Sequence, residues 1–144
     1  MSGASGLGGL VPAGDAVCPC GGVPQGSSFS DCCGPVVSGE ALAPSAEALM
    51  RSRYTAYAVH AGDHLFRSWH ARTRPEDVDP DERVRWVGLD VVDVVDGGPD
   101  DTEGVVEFRA QWVSDDDGPV RRGEVHERSR FTRRAGRWVY LEAL

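Results

Sequence analysis

Apolar positions along the chain change period once. Between Ala46 and Ala61 they recur as Ala46, Met50, Tyr54, Tyr57, Ala58 and Ala61, at i, i+4, i+8, i+11, i+12 and i+15. That spacing lays one stripe along a turn of 3.6 residues and predicts an amphipathic helix. Ser45, just after Pro44, suits the N-cap, and Glu47 falls in the first turn, where the helix dipole favours an acid. Gly62 is the expected stop. Asp63 is placed to cap a second, short helix with Leu65, Phe66 and Trp69 on its buried side. The run HARTRPEDVDPDER that follows is polar, holds two prolines and reads as loop.

From Arg83 onward the period becomes two. Strands are predicted at 84–95, 104–113, 120–133 and 137–142, separated by DGGPDD, SDDDGP and AG. Such short Gly- and Asp-rich connections favour antiparallel neighbours. Helices first and strands afterwards is the order of an α+β domain with its helices on one face of a curved sheet. Parity then sorts the side chains. Val106, Phe108, Ala110 and Trp112 share a face of the second strand, and Val125, Glu127, Ser129 and Phe131 share a face of the third. Glu127 and Ser129 therefore stand between apolar neighbours on the side that meets the helices. His126, Arg128 and Arg130 fall on the opposite, solvated face, provided no bulge exchanges the two.

At 144 residues the chain is long enough for one core without covalent staples. A formal net charge of −8 disfavours broad electrostatic binding to nucleic acid or anionic membrane. All fifteen positive residues are Arg, which is read as codon bias. Residues 1–16 are mostly Gly, Ser and Ala and read as a flexible tail, with none of the basic and apolar regions of a secretory signal. No window approaches the ~20 apolar residues of a membrane span. The expected compartment is the cytoplasm, where thiols stay reduced. Residues 35–44, bounded by two prolines, read as an irregular connection.

All four cysteines lie in CPCGGVPQGSSFSDCC, at Cys18, Cys20, Cys32 and Cys33. Zn²⁺ takes four thiolates in a tetrahedron, and Gly21, Gly22 and Gly26 give the backbone freedom for a tight knuckle. Disulfides, redox chemistry and an iron–sulfur centre are the competing readings. A site closed by four thiolates has no position for water, so such a zinc ion would be structural.

The pattern Cys18, Cys20, Gly21, then Phe29, Cys32 and Cys33 resembles the SEC-C zinc motif. Around it, CPCG with CCGP, SGE, AEALMRSRYTAY, WHARTRP, ERSRF and GRWVYLE follow in order over residues 17–142 and resemble the YchJ-like family of bacterial proteins. The resemblance implies a zinc knuckle at 17–34 and a nuclear transport factor 2-like domain at 35–144, a cone of helices cupped by a curved sheet. Many SEC-C motifs carry lysines between the cysteine pairs, where they are tied to acidic partners or lipid headgroups. The loop GVPQGSSFSD has no basic residue, which weakens that inference here.

The cone is shared by enzymes and by binding proteins, so a site must carry any functional claim. Pocket candidates are Arg51, Arg53, Tyr54, Trp69, His70, Trp86, Trp112, Glu127, Ser129, Trp138 and Tyr140. Glu127 comes first, because a carboxylate facing an apolar interior is costly unless paired or neutral. The plainer reading pairs it with Arg51 or Arg53 as a structural ion pair. Tyr54 and the Trp residues read equally as core, and His60 and His70 as cations at helix ends. No nucleotide-binding loop and no nucleophile–base–orienter trio can be assembled. The first expectation is a binding or interaction module with structural zinc and an unknown macromolecular partner or small ligand. The rival is an enzyme using Glu127 for acid–base chemistry with Tyr54 or His70 as donor. A weaker idea is nucleic-acid contact through Arg121, Arg122, Arg128, Arg130, Arg133 and Arg134.

Overall fold

The structure is a computed structural model that describes residues 11–114 and 118–144. The expected tail therefore lies outside the described residues up to Leu10. From Gly14 it is tied down: the Ser30 and Phe29 amides donate to the carbonyls of Gly14 and Ala16. Three helices follow, α1 (Cys33–Ser38), α2 (Ala46–Val59) and α3 (Gly62–Arg67). Then come four strands, β1 (Val84–Asp96), β2 (Glu103–Ser114), β3 (Arg121–Arg134) and β4 (Arg137–Ala143). They form one antiparallel sheet in the order β1-β2-β3-β4. The α+β order read from the sequence is the observed one.

Several local expectations change. Helix α1 occupies part of the segment expected to be irregular; Pro35 sits in its first turn, where a missing N–H costs nothing, and it ends at Gly39 with φ 87°. The stop of α2 is His60 in the left-handed conformation, φ 59°, while Gly62 opens α3. Phe66 is 48% exposed rather than buried; the Arg74 guanidinium covers its ring from outside at 3.7 Å. Ser45 does cap α2, accepting from the Ala48 amide at 3.0 Å.

Helix α2 lies across the concave face of the sheet and is buried on more sides than its apolar stripe predicts. Ser52 and Thr55 have no exposed surface, and Arg53 is 7% exposed. Its first turn is pinned to the β1–β2 hairpin by the Ala46 amide donating to the Gly97 carbonyl at 2.9 Å. That approach needs Gly97, at φ 80°, and Gly104 beside it, where an added Cβ would lie 2.5 Å from the Gly97 Cα. The core under α2 is Leu49, Met50, Val106, Phe131 and Trp138.

The parity argument holds through β2 and β3, which pair without a register shift. Bulges occur instead in β1, at Trp86/Gly88 and Val91/Asp93, and between Arg130 and Phe131 against β4, where they bend the sheet. The outer face is a lattice of exposed ion pairs. Glu107 meets His126 at 2.6 Å and Arg128 at 2.9 Å, Arg128 also meets Asp93, and Arg130 meets Glu142. Arg133 stacks on Trp138 and Arg134 contacts His70. Four of the six arginines considered for nucleic acid are thus engaged within the protein. Among the described residues no helix is long and apolar enough to cross a membrane.

One buried group was missed in the sequence. His64 on α3 is 5% exposed and its Nε2 lies 2.8 Å from Ser52 Oγ. Ser52 spends its only hydroxyl proton on the Leu49 carbonyl at 2.7 Å, so His64 is the donor and carries its proton on Nε2. Burial, with Arg53 and Arg67 nearby, lowers its pKa from 6.5 to about 4. The unfolded chain therefore binds the extra proton first. Stability is full above pH ~6.5 and falls as pH drops toward 4, by on the order of 3 kcal/mol from this residue. His64→Gln should flatten that part of the pH–stability curve, read as the urea midpoint between pH 4.5 and 7. An unchanged slope would assign the acid sensitivity elsewhere.

Candidate functional site

Two sites meet along α2. The first is the cysteine cluster. An isolated pairing of Val17 with Ser28 closes the loop, with the Cys18 amide donating to the Ser27 carbonyl at 2.9 Å. Cys18 and Cys20 leave one end of this loop; Cys32 and Cys33 arrive at the start of α1. All four sulfurs lie within 4.8 Å of one another, with Cys20–Cys32 at 3.6 Å and Cys32–Cys33 at 4.0 Å. Four thiolates around one ion at ~2.3 Å stand about 3.8 Å apart. A disulfide needs ~2.05 Å, and all four cysteines are free thiols. The spacing is that of a set able to hold a metal ion.

The charges fit the same requirement. Hydrogen bonds with Cys20 and Cys33 lower the Cys18 thiol to about 2, while those with Cys18 and Cys20 push Cys33 up. Burial, then the charge on Cys20, raises Cys32 to about 11. Crowded sulfurs without a cation thus share negative charge unequally; a divalent ion would let all four ionise. The protein supports the cluster from α2. Thr55 Oγ1 lies 3.9 Å from Cys18 Sγ, and the Gly22 amide donates to Cys20 Sγ at 3.4 Å.

Arg51 belongs here and not to the pocket. Its Nη1 donates to the Cys20 carbonyl at 3.0 Å and its Nε to Glu47 at 2.9 Å. Burial disfavours its charge, but Glu47 and the Cys20 thiolate outweigh that and raise its pKa. The arginine sits where the excess negative charge of a four-thiolate site would be.

The second site is a cavity of about 310 Å³ between α2 and the sheet. Arg53, Tyr54, Trp69, Trp86, Glu127 and Ser129 all line it. Tyr57, Phe108, Val125, Phe131 and Tyr140 also line it, and of these only Tyr140 was a pocket candidate in the sequence. The signal for Tyr57 was present, since it stands four residues after Arg53 and so on the same helix face. Trp138 does not reach the cavity: it lies in the core, with its indole Nε1 buried and unpartnered. Trp112 lies over Gly123, where an added Cβ would meet its ring at 2.2 Å. His70 is also absent. It sits beyond α3, bonded to Arg134 and to the Arg72 amide.

Arg53 reaches the cavity between two rings. Its Cζ lies 4.7 Å from the Trp69 centroid and 4.7 Å from that of Tyr140. Those rings are held by β4 pairing with the segment after α3, through Tyr140 N to Ser68 O and His70 N to Tyr140 O. Arg53 Nη1 donates to Ser68 Oγ at 2.7 Å and to the Leu65 carbonyl at 3.3 Å. Among the described residues it has no ion-pair partner, so the expected pairing with Glu127 is not formed. Glu127 instead accepts on one oxygen, Oε2, from Ser129 Oγ at 2.6 Å and Tyr140 OH at 2.9 Å. Burial and the Glu127 charge hold the Tyr140 hydroxyl above its usual range. Tyr54, pushed by burial to about 12, meets the Gly88 backbone instead.

The sequence profile of the family described as "YchJ, middle NTF2-like domain" matches residues 45–143. The chain belongs to the YchJ family. A UPF0225 protein of Streptomyces coelicolor is 46% identical over 125 residues, 87% of this chain and 92% of that one. A UPF0225 protein of Chromobacterium violaceum is 45% identical over 133 residues, 90% of this chain and 93% of that one. Among solved structures, a SEC-C motif containing protein from Rhodopseudomonas palustris superposes with a TM-score of 0.71 at 32% identity, covering 88% of this chain and 96% of that one. One from Psychrobacter arcticus gives 0.68 at 25% identity, covering 88% and 80%. The YchJ fold is therefore the small α+β, nuclear transport factor 2-like domain that the order of elements implied, with a cysteine cluster at its N-terminal side.

Arg51→Met should weaken metal binding about tenfold or more, as loss of a supporting contact does. Cobalt(II) titration of the thiolate charge-transfer band, in competition with a chelator, measures this. An unchanged affinity would show that Arg51 serves only the helix pair with Glu47.

Proposed function

We propose that this YchJ protein is a small-molecule-binding module whose N-terminal knuckle, residues 17–34, is fastened by one structural zinc ion. Cys18, Cys20, Cys32 and Cys33 supply the four ligands. Zinc is the choice for four soft thiolates in a tetrahedral set with no position left for water. Retaining thiolates requires a reducing compartment, which puts the protein in the cytoplasm. The domain of residues 35–144 supplies the binding site.

One observation carries the binding reading: a nearly buried arginine, clamped by two aromatic rings, faces a 310 Å³ cavity without a carboxylate partner. A charge removed from water at that cost is kept where something else meets it. The acid–base alternative has less support. His70 is outside the cavity, the Tyr54 hydroxyl is engaged by Gly88, and Oε2 of Glu127 already accepts two hydrogen bonds. The docked arrangement favours holding a molecule over transforming it.

The protein purified under reducing conditions should carry about one zinc per chain, with no reactive thiol until the metal is stripped. Stripping should lower the melting temperature. Less than half an equivalent of zinc together with four free thiols would sink the metal assignment. Indole should bind saturably in a calorimetric titration, and Val125→Trp, which fills the cavity, should abolish this while the fold persists by circular dichroism. No saturable binding to the wild-type protein would remove the cavity as a ligand site.

A further inference from the structure

The walls of the cavity say more than that something binds. Arg53 uses only Nη1 within the protein, and its Nε and Nη2 make no hydrogen bond among the described residues. Neither atom is sealed from solvent-sized space, because among the described residues the fully buried, unpartnered side-chain nitrogens are those of Arg133 and Trp138. Glu127 is the mirror case. Ser129 and Tyr140 both donate to Oε2, which leaves Oε1 without a donor among the described residues and likewise not sealed. Arg53 and Glu127 both face the cavity, yet no salt bridge joins them. Tyr140 touches both, its ring face against the guanidinium and its hydroxyl on the carboxylate. The two unspent charges thus stand one tyrosine apart, in a cavity otherwise walled by Trp69, Trp86, Phe108 and Phe131.

We infer that the YchJ cavity is built for an amphoteric ligand: a flat apolar body carrying a carboxylate beside an ammonium, as in an aromatic α-amino acid. The inference rests on the reading of the cavity as a ligand site. The carboxylate meets the Nε and Nη2 edge of Arg53, the fork geometry in which a guanidinium holds a carboxylate best. The ammonium donates to Glu127 Oε1. The ring lies among the aromatic walls. A simple anion would satisfy Arg53 but set its charge against Glu127, and a simple cation would do the reverse. A neutral body would leave both groups desolvated and unpaired. Only a ligand with both charges close together meets both groups. The knuckle takes no part in these contacts, so discrimination among ligands belongs to α2, β3 and β4.

Calorimetric titration of the zinc-loaded full chain with four probes tests this at neutral pH and low salt. The probes are L-phenylalanine, phenylacetate, phenethylamine and indole. L-Phenylalanine should bind at least tenfold tighter than either singly charged analogue. Arg53→Gln should bring L-phenylalanine down to the level of phenethylamine, and Glu127→Gln down to that of phenylacetate, with indole unaffected in both. If indole binds but L-phenylalanine is no tighter than phenylacetate or phenethylamine, the ligand class is wrong and the cavity reading stands. If no probe binds, the cavity reading fails and this inference with it. Should Arg53→Gln not fold, the wild-type series alone decides.

Discussion

The burial of helix α2 is the constraint on which the rest of this protein depends. A helix laid on a sheet usually buries one stripe and leaves the other in water. Here the cysteine knuckle and α1 cover a second side, and α3 a third. Residues that would otherwise be solvated are therefore inside: Ser52 and Thr55 have no exposed surface and Arg53 is 7% exposed. Each must then find a partner, because an unmet polar group in such a place costs about 1–3 kcal/mol. Ser52 finds His64 and Leu49, Thr55 lies against the Cys18 sulfur, and Arg53 finds Ser68, Leu65 and two ring faces. The knuckle, the third helix and the cavity are all organised by what this helix needs to have satisfied.

Two arginines two residues apart show how finely that works. Arg51 and Arg53 point to different sides of α2, one to the thiolates and one to the cavity. Both sit where negative charge belongs, and neither takes Glu127. The two arginines therefore serve different sites although a single residue divides them. Tyr54, next to Arg53, packs with the cysteines and also lines the cavity, so one side chain of α2 backs both sites.

Much of this was legible in the sequence, for reasons that can be named. The period change at Arg83 located the sheet, and uninterrupted parity in β2 and β3 put Glu127 and Ser129 on the inner face. The clustering of four cysteines within sixteen residues located the metal candidate. The errors also share a cause. Arg51, Trp138, Trp112 and His70 were grouped with the pocket on residue type alone. Their true places depend on rotations about α2, on the bulge between Arg130 and Phe131, and on the turn after α3. Helix α1 was hidden by Pro35, which breaks a helix interior but is tolerated in a first turn.

By itself the sequence determined most of the elements, their order, the inner face of the sheet and the cluster of four cysteines. These follow from periodicity and local spacing, which act over a few residues. Tertiary structure alone decided which arginine serves which site, that Glu127 is met by Ser129 and Tyr140 rather than by a cation, and that His64 is buried neutral. Those outcomes turn on distances of a few ångströms between side chains from different elements. No local pattern encodes such distances; they are set when the helix is buried on several sides at once.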